Sequence, residues 1–379
     1  MFSLSRLVAI GSLLLAAGGC QSLPPAAPAT IAKGDYPAVL AYLALRIPHD
    51  MGVAKVPGVS IAIVDDQRIV WSRGFGVADA SRHRLATRDT LYRVGAISKV
   101  VTAAAVLRAA DDGRLLLDAP AGDALPDWHV EPRRNAMQWM GAKPYTARNL
   151  LSLHPATLED TMGRARADMA YALLGDMVAH VAREPFDTYV RRTIFQPLNM
   201  PRAGFQPHAR MLEQRASGYR RGQPWTEAPQ PNEAADGLWM SASEMARFSS
   251  MLFAGGKYGG KDGDQHNDKS GDKYDGKRVL TEKSARMLLG LETVAGGGLD
   301  LDCRFALSWL AAPCGDDLVS AASIREHSGA TEAFHAQWVL APRDKLAVLV
   351  MSNADSGESL VASVSTMAMR MMRQAKYGR

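Results

Sequence analysis

The feature that most constrains this fold is the run ISKVVTAAAVLRAA, from Ile97 to Ala110. Wound as a helix, it is apolar nearly all the way round: Ile97, Val100, Val101, Ala103, Ala104, Ala105, Val106 and Leu107 leave no polar face. Such a helix belongs inside a core, with other elements packed on every side. Lys99 nevertheless falls in its first turn, where a bare ammonium is costly to desolvate. The chain has 379 residues, 47% of them hydrophobic. That is enough to bury such a helix in one large domain or two lobes without help from disulfides.

The N-terminus reads as a targeting segment. In MFSLSRLVAIGSLLLAAGGC, residues 1–20, Arg6 supplies a positive start, and Leu7 to Ala17 form an apolar stretch too short to span a bilayer comfortably. The ending AAGGC resembles the bacterial lipoprotein box, which implies cleavage before Cys20 and its acylation, although Ala17 stands where leucine is usual. Plain export with cleavage nearby is the alternative. Gln21 after the cysteine implies outer-membrane sorting in a Gram-negative cell, with the protein facing the periplasm. Residues 21–33 then form a Pro/Ala-rich tether. An exported setting permits a disulfide between Cys303 and Cys314, and their spacing suits the two ends of one hairpin or loop. Bridged and free thiols both stay open.

Residues 34–379 read as one discontinuous domain. YPAVLAYLALRI predicts a short amphipathic helix, and GVSIAIVDDQRIVWSRGFGVAD two apolar strands around Asp65, Asp66 and Gln67. Residues 115–250 are mostly helical in pattern. Within them, DMAYALLGDMVAHVAR places Tyr171, Leu174, Met177, Val178 and Val181 on one face, with Asp168 positioned as an N-cap. Strands return in EHSGATEAFHAQWVLAPRDKLAVLVMSN, with a turn at Pro342 to Asp344, and a last helix spans about 360–374. The expected fold is α/β of the α+β kind: an antiparallel sheet built from both chain ends, flanked by helices, with an inserted, mostly helical lobe. Residues 255–277 are a low-complexity polar loop in which KYGGK recurs as KYDGK. Its DGDQHND lacks the glycine and distal glutamate of a calcium loop.

The core helix with its lysine resembles the nucleophile helix of the serine β-lactamase and penicillin-binding-protein superfamily, in the branch of class C β-lactamases, D-alanyl-D-alanine carboxypeptidases and esterases. There it opens S-x-x-K, so that serine and lysine share one helix face. YRVGAISKVVTAAAVLRAADDGRLLLDAP, AYALLGDMVAHVAREPFDTYVRRTIFQPLNMP, DGLWMSASEMARFSSMLFAGGKY and HSGATEAFHAQWVLAP are similar to four family segments in the family's order. The resemblance implies a β-lactamase/transpeptidase-like fold. It also implies a site with an oxyanion hole made of two backbone N–H groups, those of Ala96 and Ala330.

The same alignment exposes departures. Three residues before Lys99 stands Ala96, which has no hydroxyl and cannot form an acyl-enzyme. Ser98 adjoins the lysine, but neighbours on a helix point about 100° apart; SGDK in the polar loop has no helix to support it. Anchoring the family's YSNTGYALLG pattern on Tyr171 to Gly175 puts the general-base tyrosine at Arg166 and the asparagine at Asp168. Tyr171 is then the helix-face tyrosine, and Tyr145 lies far upstream. The third motif survives as His327-Ser328-Gly329, followed by Ala330.

Loss of the nucleophile of a serine protease lowers kcat by about 10⁶ and leaves roughly 10³–10⁴ over water. The expectation is therefore a non-acylating pseudoenzyme whose pocket binds a peptidoglycan stem peptide or other small carboxylate ligand. Within it, Asp168 or a nearby carboxylate pairs with Lys99 while Arg166 keeps the cleft cationic; the alternative is that Asp168 only caps its helix and Arg166 points to solvent. Two rival readings are an active hydrolase (esterase, D-amino-acid peptidase or β-lactamase type) and a structural lipoprotein with a filled pocket. A net charge of +5 without a basic block argues against nucleic acid. No residue pattern calls for a metal or cofactor, and the membrane is a partner only through the lipid on Cys20.

Overall fold

A computed structural model describes residues 23–125, 145–152, 161–206, 208–226, 228, 232–259, 277–290, 305–306, 309–312 and 324–378, and structural statements concern these. Cys20, Cys303, Cys314 and most of the 255–277 loop lie outside them.

Eight strands form one antiparallel sheet: β1 (Gly58–Asp65), β2 (Arg68–Asp79), β3 (Arg84–Leu85), β4 (Phe305–Ala306), β5 (Trp309–Ala312), β6 (Ile324–Ala330), β7 (His335–Ala341) and β8 (Leu346–Ser352). Their order is β4-β5-β6-β7-β8-β1-β2-β3. The sheet is thus closed at its centre by the two ends of the chain, Val59 opposite Ser352 and Asp65 opposite Leu346. β7 and β8 are buried at every position, which explains why their sequences run apolar without alternation: both faces of the sheet are covered.

On the outer face, α1 (Tyr36–Ala54) and α5 (Glu358–Tyr377) pack over Val59, Ile61, Ile63, Val348 and Val350. α1 outruns the expected short helix and continues through Pro48. A surface helix tolerates this because the carbonyl freed by the proline can turn to water. On the inner face, α4 (Ala242–Phe253) lies against β1 and β8, so this end of the expected lobe belongs to the sheet. The lobe itself also contains short strands, and one of them, Trp239–Ser241, pairs with Leu91–Arg93.

The core helix α2 (Ser98–Asp111) is preceded by a 3-10 turn, Gly95–Ile97. It is enclosed by α3 (Thr161–Ala182) and by the short helices Glu233–Asp236 and Glu282–Leu288. These neighbours account for its all-round apolar surface: Ser98 through Leu107 are all buried. On α3, Tyr171, Leu174, Met177 and Val178 are buried, as their spacing predicts. α3 begins at Thr161, however, so Asp168 lies in its second turn and does not cap it. On either side of the polar loop, Lys257–Tyr258 pairs with Lys277–Arg278. No helix among the described residues is long and apolar enough to cross a membrane.

Candidate functional site

The site is built where the head of α2 meets the end of β6. Val94 N–H donates to Leu238 O, and Leu238 N–H donates to Ser98 Oγ at 3.0 Å, so the 238–241 segment holds the turn into α2 from one side. From the other side β6 approaches so closely that only glycine fits. A Cβ on Gly329 would lie 1.8 Å from Val94 O, and one on Gly95 would lie 2.8 Å from Ala330 N. Gly95 also has a φ of +51°, a conformation side chains resist. The backbone at Ala96 and the backbone at Ala330 are therefore brought close together, at the positive end of α2.

Ala96 is half-buried at this junction, and its side chain is a methyl group with no polar atom. The side chain of Ser98 is engaged by the backbone around it. Its hydroxyl is fully buried, donates to Gly95 O at 2.6 Å and accepts from Leu238 N–H, so it serves as a structural tie.

Lys99 has a partner. Its Nζ lies 2.6 Å from Asp168 Oδ1 and 3.4 Å from Ala235 O, and its side chain is 2% exposed against 31% for Asp168. The burial that makes a lone ammonium costly is offset by this carboxylate. Asp168 on α3 and Lys99 on α2 thus form a salt bridge that ties the two helices together. Arg166 lies on α3 two residues earlier, and its side chain is outside the described residues. Tyr171 donates to Leu151 O at 3.1 Å, deep in the lobe core, and serves packing. Tyr145 packs against the same core.

His327 is buried on β6. Because alternate strand residues share a face, it lies on the face that Gly329 turns toward the head of α2. Its Nδ1 is 2.9 Å from Ser328 O; a carbonyl only accepts, so this nitrogen carries the proton. A separate cavity of about 830 Å³ lies on the sheet's other face, between Ile324, Glu326 and Val339 and α5. It shares no residue with the site.

Two parts of the site escaped sequence reasoning. One is the pair of carbonyls in the 233–236 helix: Ala235 O faces Lys99, and Ala234 O accepts from Thr102 Oγ1 at 2.6 Å. Backbone groups leave no residue signature. The other is a rim of Arg220, Trp225 and Glu332, whose members are far apart in sequence.

Residues 44–364 match the family described as Beta-lactamase. The chain belongs to this family. Beta-lactamase-family structures share its fold. A class C beta-lactamase from Rhodobacter sphaeroides superposes with a TM-score of 0.66 at 17% identity, covering 87% of this chain and 99% of that one. A beta-lactamase/D-alanine carboxypeptidase from Pseudomonas syringae gives 0.65 at 17% identity, covering 89% and 99%. In sequence, protein flp of Staphylococcus aureus is 23% identical over 199 residues, 46% of this chain. The match spans 40% of the length of flp. The family is one of serine hydrolases, and the α/β fold with its antiparallel sheet is the family fold.

Proposed function

We propose that this beta-lactamase-family chain is a non-acylating member whose cleft binds a ligand carboxylate, a cell-wall stem-peptide terminus foremost. The observation that carries this reading is the head of α2. Ala96 offers no oxygen, the adjacent Ser98 hydroxyl is committed to Gly95 and Leu238, and Lys99 is held by Asp168. What remains is the anion-binding part of the machinery: the amides of Ala96 and Ala330 converging at a helix N-terminus. Backbone donors of this kind suit a carboxylate. The Pseudomonas relative is described as a D-alanine carboxypeptidase, which supports a peptide carboxylate as the ligand class. The proposal includes a lipid anchor on Cys20 that places the domain at the periplasmic side of the cell envelope.

The test is covalent labelling combined with calorimetry. Wild type and Ala96→Ser are incubated with a labelled penicillin and a fluorophosphonate and then weighed; both are titrated with an acetylated Lys-D-Ala-D-Ala peptide. The reading predicts peptide binding without a wild-type adduct, and slow labelling of the serine variant. An adduct on wild type overturns it in favour of an active hydrolase. Failure of both labelling and peptide binding overturns it in favour of a filled, structural pocket.

A further inference from the structure

A hairpin packed against the turn that follows β6 carries an aromatic platform with a polar border. Gly218–Arg220 and Gln223–Trp225 form a hairpin closed by Arg221 and Gly222, both at positive φ (51° and 75°). This is the geometry of a tight two-residue turn. The hairpin is seated rigidly: Tyr219 N–H donates to Asn353 O, and a Cβ on Gly218 would lie 2.7 Å from Ala333 Cβ. Its last residue, Trp225, donates from Nε1 to Glu332 Oε2 at 2.9 Å, and Arg220 lies 3.5 Å from Glu332 Oε1. The Arg220 guanidinium covers one side of the indole at 4.8 Å from the ring centroid, yet the residue stays 39% exposed.

The position of this group matters as much as its makeup. Glu332 follows the oxyanion residue Ala330 by two positions. Just past Trp225 the chain returns over Arg93, whose Nη1 donates to Ala228 O at 3.3 Å, three residues before Ala96. The platform thus rests on residues that lie two and three positions along the chain from Ala330 and Ala96.

From this arrangement we infer that Trp225, Arg220 and Glu332 form a subsite for a neutral pyranose ring. An indole held in place offers a large apolar contact at low entropic cost. Its border supplies one acceptor side chain and one donor side chain whose charges cancel, so it favours neither an anion nor a cation. A sugar ring matches both properties, with an apolar face for the indole and equatorial hydroxyls that donate to Glu332 and accept from Arg220. The inference deepens the proposed function and rests on it only for the idea that the same ligand continues into the cleft as a carboxylate.

The experiment uses the full chain and triacetylchitotriose, with no peptide attached, followed by tryptophan fluorescence and calorimetry. Wild type binds it in the millimolar range with a change in emission. Trp225→Ala weakens binding by about tenfold or more, and Trp225→Phe, which keeps an aromatic face, stays within about threefold. Trp225 is a surface residue on a two-stranded hairpin, so the variants fold. No binding by wild type, or equal binding by wild type and Trp225→Ala, overturns the inference. A parallel titration with the acetylated Lys-D-Ala-D-Ala peptide reads the cleft alone. If that peptide fails while the trisaccharide still depends on Trp225, the carboxylate reading falls and the sugar subsite stands.

Discussion

Asp168 stands one turn before Tyr171 on α3 and reaches across to Lys99 at the head of α2, closing a 2.6 Å contact between two helices that form the lobe core. One carboxylate oxygen therefore performs two tasks. It makes burial of the ammonium tolerable and, under the proposed function, it holds the charge that a ligand carboxylate would otherwise meet.

Removing that carboxylate should separate the two tasks. Breaking a buried ion pair by deleting one partner typically costs about 3–5 kcal/mol, and the partial exposure of Asp168 lowers this to about 2 kcal/mol for Asp168→Ala. Urea denaturation measures it. Lys99→Met in the same background should restore part of the loss, since no charge is then stranded. In Asp168→Asn the freed ammonium should tighten carboxylate binding by about tenfold, or roughly 1.4 kcal/mol. Unchanged stability and unchanged affinity would show the pair to be idle.

Ser98 should behave as a strut. Ser98→Ala leaves the Leu238 N–H buried without its acceptor, a loss of about 1–3 kcal/mol in stability. The penicillin label expected on Ala96→Ser should persist in the Ala96→Ser/Ser98→Ala double variant. Disappearance of the label with Ser98 would identify that hydroxyl as the attacking group.

Gly329 should tolerate no side chain. Its missing Cβ leaves the space taken by Val94 O, so Gly329→Ala must push β6 away from the turn before α2. Destabilisation of about 3 kcal/mol or more is expected, from overpacking against backbone that cannot yield. Peptide binding should be lost with it. A crystal structure of the variant with an unmoved β6 would contradict this.

Acid should act through Asp79. Burial pushes its carboxyl up, but hydrogen bonds from Ser81, the Arg82 N–H and Ser217 together outweigh burial and hold it below the usual range. A depressed folded pKa stabilises the fold above the unfolded value, near pH 4, and that contribution disappears as pH falls through the folded value. Stability of Asp79→Asn should therefore be lower than wild type at pH 7 and should converge toward it below about pH 3. Parallel curves across that range would rule the residue out.

Much of this was legible in the sequence. The all-apolar run gave the core helix because nothing but enclosure explains such a surface. β1, β2, β7 and β8 were legible from their apolar runs and turn residues. Anchoring on Tyr171 to Gly175 put Asp168 in the register of the family's asparagine, and the structure puts Asp168 beside Lys99. The start of α3 was misread because Asp168 is a good capping residue wherever it falls, and the TMGRAR segment before it carries no apolar period to reveal about two further turns. α1 was cut short for a related reason: Pro48 is a strong local stop, and the helix nevertheless runs on past it to Ala54 with Met51 buried beneath. The rim triad was illegible since its three members meet only after β6 and the hairpin are assembled.

The pairing of Val59 with Ser352 has a consequence for how the molecule comes into being. A nascent chain holds β1 and β2 early, yet their central neighbour is synthesised almost three hundred residues later. The middle of the sheet stays open until nearly the whole polypeptide has been made, so folding is dominated by a late, long-range closure and is correspondingly slow. Trimming the chain before β8 would remove the keystone of the sheet and leave its flanks with nothing to join.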